Sequence, residues 1–388
     1  MTMETIERTT CRLCGSAGFN SVLSLGDIYV SNFVEKRGEG GIKCPLELVQ
    51  CKNPECELVQ LRHTAPQELL YSRHYWYKSA LNKVIVDDLK ELAGIAESYM
   101  DYHDIVLDIG ANDGTLLSFI DSRNYGRVGC EPADNLQEAL AKNCEIVIHD
   151  FWDIKNYKFK PAKVVLAIGM FYDMEDPNQF VRDAALALAE DGVFIAQLMT
   201  LKPMVEKNDV ANICHEHLEY YSYKSLKYLF ERNGLEIFKV EENGINGGSY
   251  RLFAQKLKTG SIDYPEEIDL VQFARNIELN KNIMVNYIRK CNEYDEKVYG
   301  YGASTKGNTT LQYYGLTNKD VPAVVDPNPD KVGKFCIGSN VPVVKEAPDA
   351  DYLFILPWGF TDSFVKKEKA KGYKGKFLVS IPEFRVIE

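Results

Sequence analysis

The spacing of apolar residues changes along the chain, and each spacing predicts a different kind of structure. The first 70 residues carry only short apolar runs, at 21–25, 46–50 and 58–61, which predict small strands in a loop-rich module. Residues 66–99 repeat apolar side chains at helical intervals, so they predict a helical lead-in to the next domain. The rest of the chain alternates between short apolar strands and helices.

This alternation predicts two α/β domains, because strands joined by helices form doubly wound parallel sheets. The strands predicted for the first domain lie at 104–109, 127–130, 146–148, 163–168 and 192–198, followed by two antiparallel strands within 236–256. A long amphipathic helix over 265–291 leads to a second series. The strands predicted in that series lie at 297–301, 323–326, 352–356 and 376–380.

The pattern as a whole predicts an α/β protein of three domains, and a length of 388 residues is consistent with that number. The domains are a small N-terminal module at 1–70, a central Rossmann-like domain at 71–260 with its helical lead-in at 71–100, and a smaller Rossmann-like α/β domain at 261–388 with a connecting helix at 261–295.

Composition and charge narrow the classes of function. Hydrophobic residues make up 45% of the chain and charged residues 26%, which excludes a disordered chain and a collagen-like fibre. The formal net charge of −11 argues against non-specific binding of nucleic acid, which needs clustered Lys and Arg. No stretch approaches 18 apolar residues and the first residues lack a secretory pattern. We therefore expect a cytoplasmic protein with no membrane partner, monomeric or weakly dimeric.

The cysteines of the N-terminal module have the spacing of a metal site. Cys11 and Cys14 form a C-x2-C turn, and Cys51 and Cys56 form a C-x4-C pair further along. Four thiolates from two such turns suit tetrahedral zinc and leave no open catalytic position, so we expect a structural metal with Cys44 unligated. The alternative is one redox pair with unrelated buried cysteines.

The segment Val106–Gly114, at the end of the first central strand, is typical of a close approach between backbone and ligand. It ends a strand and opens a helix, whose first N–H groups are free to bind. Its glycines have G-x-x-x-G spacing, which differs from the G-x-G-x-x-G of a dinucleotide loop. Asp108 precedes them, and an acid there repels phosphate but suits an amino-acid ammonium group.

Two further acids complete this predicted site. Glu131 follows the second strand, where it is placed to accept both ribose hydroxyls, and Asp150 follows the third, where it is placed to face an adenine amine. An adenosyl ligand that carries an amino acid is S-adenosylmethionine (SAM). The candidate cofactor-binding residues are Asp108, Gly110, Asn112, Gly114, Glu131 and Asp150. The alternative is a tight turn in an unrelated α/β fold.

The sequence of the last domain predicts an anion-binding site. Ser304, Thr305 and Lys306 place hydroxyls and a cation at a helix N-terminus, which fits the diphosphate of a nucleotide sugar. Asp326 follows the next strand, where it either meets the base or ribose or only caps a turn. Arg251 lies in the hairpin of the central domain and either reaches an anionic ligand or is an ordinary exposed turn residue.

The order of motifs resembles a known family. CxxC…CxxxxCELVQL, LDIGANDGTLL, CHEHLEYYS, YGYGASTKGNT and VVDPNPDKVGK together are similar to the three-domain sugar C-methyltransferases, over essentially the whole chain. The resemblance implies an N-terminal zinc-binding domain, a central class I methyltransferase domain that binds SAM, and a C-terminal domain that holds a nucleotide sugar. It also implies methyl transfer to carbon, commonly C3 of a nucleotide-linked 4-keto-6-deoxy sugar.

Methylating a carbon beside a ketone needs a base, and histidine titrates near neutral pH. The resemblance places the base at His217, with Glu216 assisting and His215 as a weaker candidate. It also implies Tyr77 as a further catalytic candidate and Tyr75 as a substrate-binding residue. Without it, the His-Glu-His run is equally a stray metal site or a set of hydrogen-bonded core residues, and the two tyrosines an aromatic wedge between domains.

Two departures from the family pattern affect the acceptor. Cys214 stands where relatives that act at C3 often have tyrosine, and the run 169–176 lacks the Asn or His of many relatives. The alternatives are therefore an O- or N-methyltransferase on a related nucleotide sugar, or a regulatory protein that binds SAM or a nucleotide without catalysis.

Overall fold

The computed structural model describes residues 5–66, 70 and 77–388. In its N-terminal module two of the short apolar runs become strands longer than predicted, whereas the run at 58–61 becomes a strand of three residues. The strands are β1 (Ile6–Glu7), β2 (Phe19–Tyr29), β3 (Phe33–Val34), β4 (Lys43–Cys51), β5 (Val59–Leu61) and β6 (His63–Thr64). Strands β2, β4 and β5 form an antiparallel sheet, and the cysteine-bearing turns lie at its end.

Within the described residues, the helical lead-in is not the continuous helix that the pattern over 66–99 predicts. It consists of a 3-10 turn at Ser79–Leu81 and helix α1 at Lys83–Glu97, whose first turn is capped by Asn82 through a bond from the Val84 N–H. The rest of the predicted helix includes 67–69 and 71–76, which lie outside the described residues.

The central domain is a seven-stranded sheet in the order β13-β14-β11-β10-β7-β8-β9, and only β14 runs antiparallel to its neighbours. Its strands are β7 (Ile105–Ile109), β8 (Gly126–Cys130), β9 (Ile146–Ile148), β10 (Ala162–Ile168), β11 (Leu188–Met199), β13 (Leu235–Asn243) and β14 (Ser249–Lys256). Its helices are α2 (Thr115–Ser118), α3 (Gln137–Leu140), α4 (Pro177–Ala187), α5 (Leu201–Glu206) and α6 (Tyr223–Arg232). Ligands of such sheets bind beyond the carboxyl ends of the strands, where chain direction reverses.

One short strand of the central chain segment does not belong to this sheet. Glu219–Tyr220, named β12, pairs antiparallel with β5, so it extends the sheet of the N-terminal module. The module therefore holds the segment that carries the His-Glu-His motif, immediately before β12 in the chain.

The C-terminal domain begins with helix α7, which covers Leu270–Glu293 rather than starting at Pro265 as the apolar pattern predicts. Asp269 caps it by accepting the Gln272 N–H, and this fixes the start. The sheet that follows has the order β18-β16-β15-β19-β20-β21, with β21 antiparallel. Its elements are β15 (Val298–Tyr301), α8 (Thr305–Tyr314), β16 (Val324–Val325), β18 (Val343–Val344), β19 (Tyr352–Ile355), α9 (Thr361–Ala370), β20 (Lys376–Val379) and β21 (Arg385–Ile387).

The three units share apolar cores. One cluster runs from the module through residues 201–220 into the C-terminal domain, and another joins the module to the central sheet. Strand β17 (Phe335–Cys336) also pairs with β3 of the module. Packing of this kind holds the domains in one arrangement around the cleft between them. Among the described residues, no helix combines the length and apolarity needed to cross a membrane.

Candidate functional site

A cleft of about 1930 Å³ lies where the three domains meet. It is lined by strand ends of the central sheet, by residues 30–34 and 39–42 of the module, and by the first turn of α8 in the C-terminal domain. The cleft therefore brings the predicted cofactor loop, the His-Glu-His segment and the predicted anion site into one space.

The four predicted zinc ligands converge outside this cleft. The sulfur atoms of Cys11, Cys14, Cys51 and Cys56 all lie within 4.8 Å of one another, with Cys11 and Cys56 at 3.8 Å and Cys14 and Cys51 at 3.5 Å. Tetrahedral zinc with Zn–S bonds of about 2.3 Å needs sulfur–sulfur distances of about 3.8 Å, so the quartet fits this metal. Cys44 lies apart, buried with Val30 and Ala65.

Polar neighbours support the thiolates. The Gln60 side-chain amide donates to Cys11 Sγ at 3.2 Å, and the backbone N–H groups of Leu13 and Asn53 donate to Cys11 and Cys51 at 3.4 Å. Such donors stabilise negative charge on sulfur and orient the ligands. The site is closed and structural.

Arg12, within the first cysteine turn, links the zinc site to the central domain. Its side chain is fully buried and donates to the Leu61 carbonyl and to Thr64 Oγ1. Its Nε lies 3.4 Å from Glu175 Oε2 and 3.9 Å from Glu219 Oε1. Glu219 belongs to β12, so this buried charge ties the metal-bearing turn to the His-Glu-His segment.

The predicted cofactor loop lies at the carboxyl end of β7, facing the cleft. Asp108 lines the cleft but is only 3% exposed. Burial, together with repulsion from nearby Glu131, raises the pKa of Asp108 to about 7. Glu131 accepts the backbone N–H of Asn112 at 3.0 Å and of Ala133 at 2.9 Å, which orients its carboxylate at the end of β8. Two acids thus define the electrostatics of this end of the cleft.

Asn112 places the linker between domains over the loop. Its Oδ1 accepts the Ser79 N–H at 3.0 Å, and Asp113 accepts the Ala80 N–H at 3.0 Å. Tyr77, two residues before Ser79, lines the cleft and is 43% exposed. Tyr75, the other predicted tyrosine, lies outside the described residues.

Of the remaining predicted cofactor residues, one lines the cleft and two do not. Gly110 lines the cleft at φ +75°, and a Cβ there would lie 2.6 Å from Met170 Cγ. Gly114, also at positive φ, caps α2 away from the cleft. Asp150 is exposed and bonded to its own loop, whereas its neighbours Phe151 and Trp152 line the cleft. Neither aromatic residue was among the predicted cofactor residues, although both directly follow Asp150 in the sequence.

His217 has the hydrogen bonding of a neutral base. Its Nδ1 lies 2.8 Å from the Asn212 carbonyl, so Nδ1 carries the hydrogen and Nε2 the lone pair. The Tyr172 ring packs edge-on at 4.5 Å, and its hydroxyl donates to the Gly169 carbonyl beyond the end of β10. Burial, with the charge of Lys306, lowers the pKa of His217 well below its usual value. The imidazole is therefore held neutral beside the cleft.

The other two residues of the motif have different surroundings. Glu216 lines the cleft close to Cys214 and Thr305, and burial raises its pKa. His215 does not line the cleft: its Nε2 lies 2.8 Å from the Cys44 carbonyl of β4. Burial lowers the pKa of His215 to about 4. Its position is that of a neutral anchor to the zinc module.

The predicted anion-binding residues make different kinds of contact. Ser304 caps α8 through the Gly307 N–H, and Asp326 accepts the Asn328 N–H in a turn at the cleft wall. Lys306 lines the cleft, with its Nζ 3.4 Å from Asn212 Oδ1 and 3.2 Å from Met199 Sδ.

Arg251 does not line the cleft and is only 4% exposed. It pairs with Asp88 at 3.0 Å and with Glu91 at 2.8 Å, and donates to Gln197 at 2.9 Å. The structure thus places Arg251 in a buried ionic network that joins β14 to α1, rather than in an exposed turn.

Known families match the chain in the same order as its structural units. A zinc binding domain model matches residues 11–71, a methyltransferase domain model 77–240, and the model of the C-methyltransferase C-terminal domain 244–382. The C-methyltransferase NovU from Streptomyces niveus is 27% identical to the chain, over 97% of this chain and 96% of that protein.

Likenesses to solved structures are weaker. An O-methyltransferase family protein from Burkholderia thailandensis is 17% identical with a TM-score of 0.36, over 46% of this chain and 57% of that one. An S-adenosylmethionine-dependent methyltransferase from Clostridium acetobutylicum is 10% identical with a TM-score of 0.37, over 45% of this chain and 92% of that one.

Proposed function

Because this chain is a SAM-dependent C-methyltransferase with a zinc-binding N-terminal domain, we propose that it methylates C3 of a nucleotide-linked 4-keto-6-deoxy sugar. The observation that carries this proposal is the state of His217, a neutral base held by Asn212 in the cleft that also contains the Asp108 loop. Transfer to carbon beside a carbonyl requires such a base, since the carbon becomes nucleophilic only after losing a proton.

The cofactor residues proposed on this basis are Asp108 for the ammonium group and Glu131 for the ribose hydroxyls, with Phe151 and Trp152 near the adenine. SAM supplies the electrophilic methyl group when it is bound. Tyr77 covers this end of the cleft from the linker, which the Asn112 side chain holds in place. The protein's own contribution here is to orient the donor and to exclude water.

Cations on the C-terminal side of the cleft support a nucleotide sugar as the acceptor. Lys331, Lys334 and Lys367 line this side, as does Asp326. Lys331 donates to the Ala303 carbonyl at 2.7 Å and lies over the Phe33 ring, so it is positioned by both the C-terminal domain and the module. Ammonium groups are suitable partners for a diphosphate. The sugar would then extend from these lysines toward His217.

In the proposed reaction, His217 Nε2 removes the proton on C3, beside the C4 carbonyl. Nδ1 stays hydrogen-bonded to Asn212, which stabilises the imidazolium that forms. Glu216, at the same wall of the cleft, adds a negative charge or an acceptor near that cation. Cys214, in place of the family tyrosine, is buried and does not line the cleft.

Exchange of the acceptor proton tests this function. The protein is incubated in deuterated buffer with S-adenosylhomocysteine (SAH) and a panel of 4-keto-6-deoxy nucleotide sugars, and deuterium at C3 is followed by NMR. We expect exchange with SAH and a new methyl–carbon bond with SAM. Methyl transfer to oxygen or nitrogen without exchange would establish the O- or N-methyltransferase alternative, and binding without turnover the regulatory one.

The pH dependence of SAH binding is expected to report Asp108. Because the pKa of Asp108 is about 7 without ligand, its carboxyl group is mostly protonated below pH 7. Binding at such a pH must first remove this proton, so that the carboxylate can pair with the ligand's ammonium group. Affinity should therefore fall about tenfold for each pH unit below 7 and level off above it. Isothermal titration between pH 5.5 and 8.5 measures this.

Two variants assign the pH effect to its source. Asp108→Asn should weaken binding and remove most of the pH dependence, whereas Asp150→Asn, outside the cleft, should change neither. Burial also raises the pKa of Glu131, so Glu131→Gln is measured as well. If the pH dependence of SAH affinity is unchanged in Asp108→Asn but disappears in Glu131→Gln, the group that titrates is Glu131 rather than Asp108.

A further inference from the structure

Lys306 lies closer to the proposed chemistry than its place in the sequence indicates. It belongs to the first turn of α8 in the C-terminal domain, yet its Nζ contacts Asn212 Oδ1 in the central segment. The Asn212 carbonyl accepts the Nδ1–H of His217. One residue therefore contacts both the base and a cation from another domain, and Lys306 and His217 line the same cleft.

The ammonium of Lys306 has weak partners within the described part of the chain. The Met199 thioether, at 3.2 Å, is a poor acceptor, and 3.4 Å to Asn212 Oδ1 is longer than a usual N–H···O bond. An ammonium group has three donors, and a partly buried one gains most from a strong acceptor. These contacts leave Lys306 able to donate to a ligand oxygen in the cleft.

Two acids lie near Lys306. Asp209 accepts from Trp358 Nε1 at 2.7 Å, and Glu216 lies close to Cys214 and Thr305. Burial raises the pKa of both acids, whereas the charge of Lys306 lowers it. The arrangement suits a group whose negative charge appears only during reaction.

We propose that Lys306 is the oxyanion donor of this enzyme: its ammonium hydrogen-bonds the acceptor's carbonyl oxygen while His217 removes the proton from the adjacent carbon. This inference rests on the proposed function. In the step, the C–H bond breaks and its proton goes to His217 Nε2. The C–H electron pair becomes the C=C bond of an enolate, and the carbonyl π pair moves onto the oxygen that Lys306 contacts. A preorganised donor at developing charge accelerates such a step.

This assignment differs from the one that sequence position favours, in which Lys306 binds phosphate at the start of α8. Lys331 and Lys334 also line the cleft, on the side formed by the module and the C-terminal domain, and Lys334 pairs with Glu35 at 2.8 Å. We assign the diphosphate to this side. Lys306 instead contacts the segment that holds the base. The two roles differ in kinetics, because a phosphate ligand affects acceptor binding and an oxyanion donor affects proton removal.

The test compares Lys306→Met with Lys331→Met in the exchange assay, with SAH bound and the acceptor varied to saturation. We expect Lys306→Met to lower the saturated exchange rate by about 10²–10³-fold, the loss typical of an oxyanion donor, with KM changed less than threefold. Lys331→Met should raise KM and leave the saturated rate within about threefold, the pattern of a ground-state contact. An effect of Lys306→Met confined to KM would overturn the proposal.

Two further measurements separate chemistry from folding. SAH affinity by calorimetry should be unchanged in Lys306→Met, which shows that the cleft has formed. For Lys306→Ala, added propylammonium should restore part of the exchange rate, whereas propanol should not; failure of rescue in a variant that binds SAH normally would count against the proposal. If the wild-type protein itself does not exchange the C3 proton, the proposed function fails, and this result is distinct from a defect limited to the variants.

Discussion

Replacing His217 by asparagine should lower the rate of C3 proton exchange by about 10³-fold, within the range expected for loss of a general base. The asparagine amide can still donate to the Asn212 carbonyl, as Nδ1 does at 2.8 Å in the native protein, while the Nε2 lone pair is removed. The substitution therefore deletes the proton acceptor with little change to the surrounding structure. SAH binding, measured by calorimetry, should stay within about threefold of the native value.

The control variants are His215→Gln and His149→Asn. His215 is one residue from Glu216 but contacts the Cys44 carbonyl, a bond that glutamine can also make, and His149 is an exposed residue paired with Asp134. Both should retain exchange within about tenfold. Loss of exchange in His215→Gln equal to that in His217→Asn would instead identify His215 as the base.

The low pKa of His217 adds a pH criterion. Since burial and Lys306 lower that pKa well below 6.5, the base stays unprotonated as pH falls from 8 to 6. With SAH saturating, so that Asp108 is already ionised, the exchange rate should stay level over this range. A fall in rate with a midpoint near 6.5 would indicate a solvent-exposed histidine as the base.

Local sequence patterns predict the parts of this protein that depend on neighbours in the chain. The zinc turns and the loop at Val106–Gly114 each consist of residues close in sequence, and the structure has a four-thiol cluster and a cleft-facing loop at those places. The strand at 146–148 is observed with the predicted bounds. In each case the apolar spacing or the turn residues determine the local backbone.

Features that depend on contacts between residues far apart in the sequence cannot be predicted from local patterns. His215 and His217 are two residues apart, yet one contacts the zinc module and the other the cleft, because β12 joins the sheet of the module. Arg251 is buried because α1 brings Asp88 to it from 163 positions away in the chain. Neither the pairing of β12 with β5 nor the contact between α1 and β14 has a signal in the local pattern, so sequence reasoning could name these residues but not their partners.

Removing the zinc is expected to abolish catalysis even though the metal has no open coordination position. Structural zinc supplies apparent folding energy of about 10–16 kcal/mol at pH 7 in small zinc domains, and the cysteine turns depend on it. Three contacts connect these turns and their sheet to the catalytic segment: the pairing of β5 with β12, the His215 bond to the Cys44 carbonyl, and the approach of buried Arg12 to Glu219. Loss of the metal should therefore displace His217.

The measurement compares Cys51→Ala with Cys44→Ala, which lie in the same strand but differ in that only Cys51 belongs to the thiol cluster. Cys44→Ala should keep one zinc per chain and near-native exchange. Cys51→Ala should lose zinc and slow exchange by about 10²-fold or more, the cost of a misplaced reacting group. Its SAH affinity should fall less than tenfold, since Asp108 lies near the end of β7 and Glu131 follows β8, and the sheet of these strands contains no strand of the module. Equal losses of SAH binding and exchange would show instead that the module stabilises the whole chain rather than the segment that carries the base.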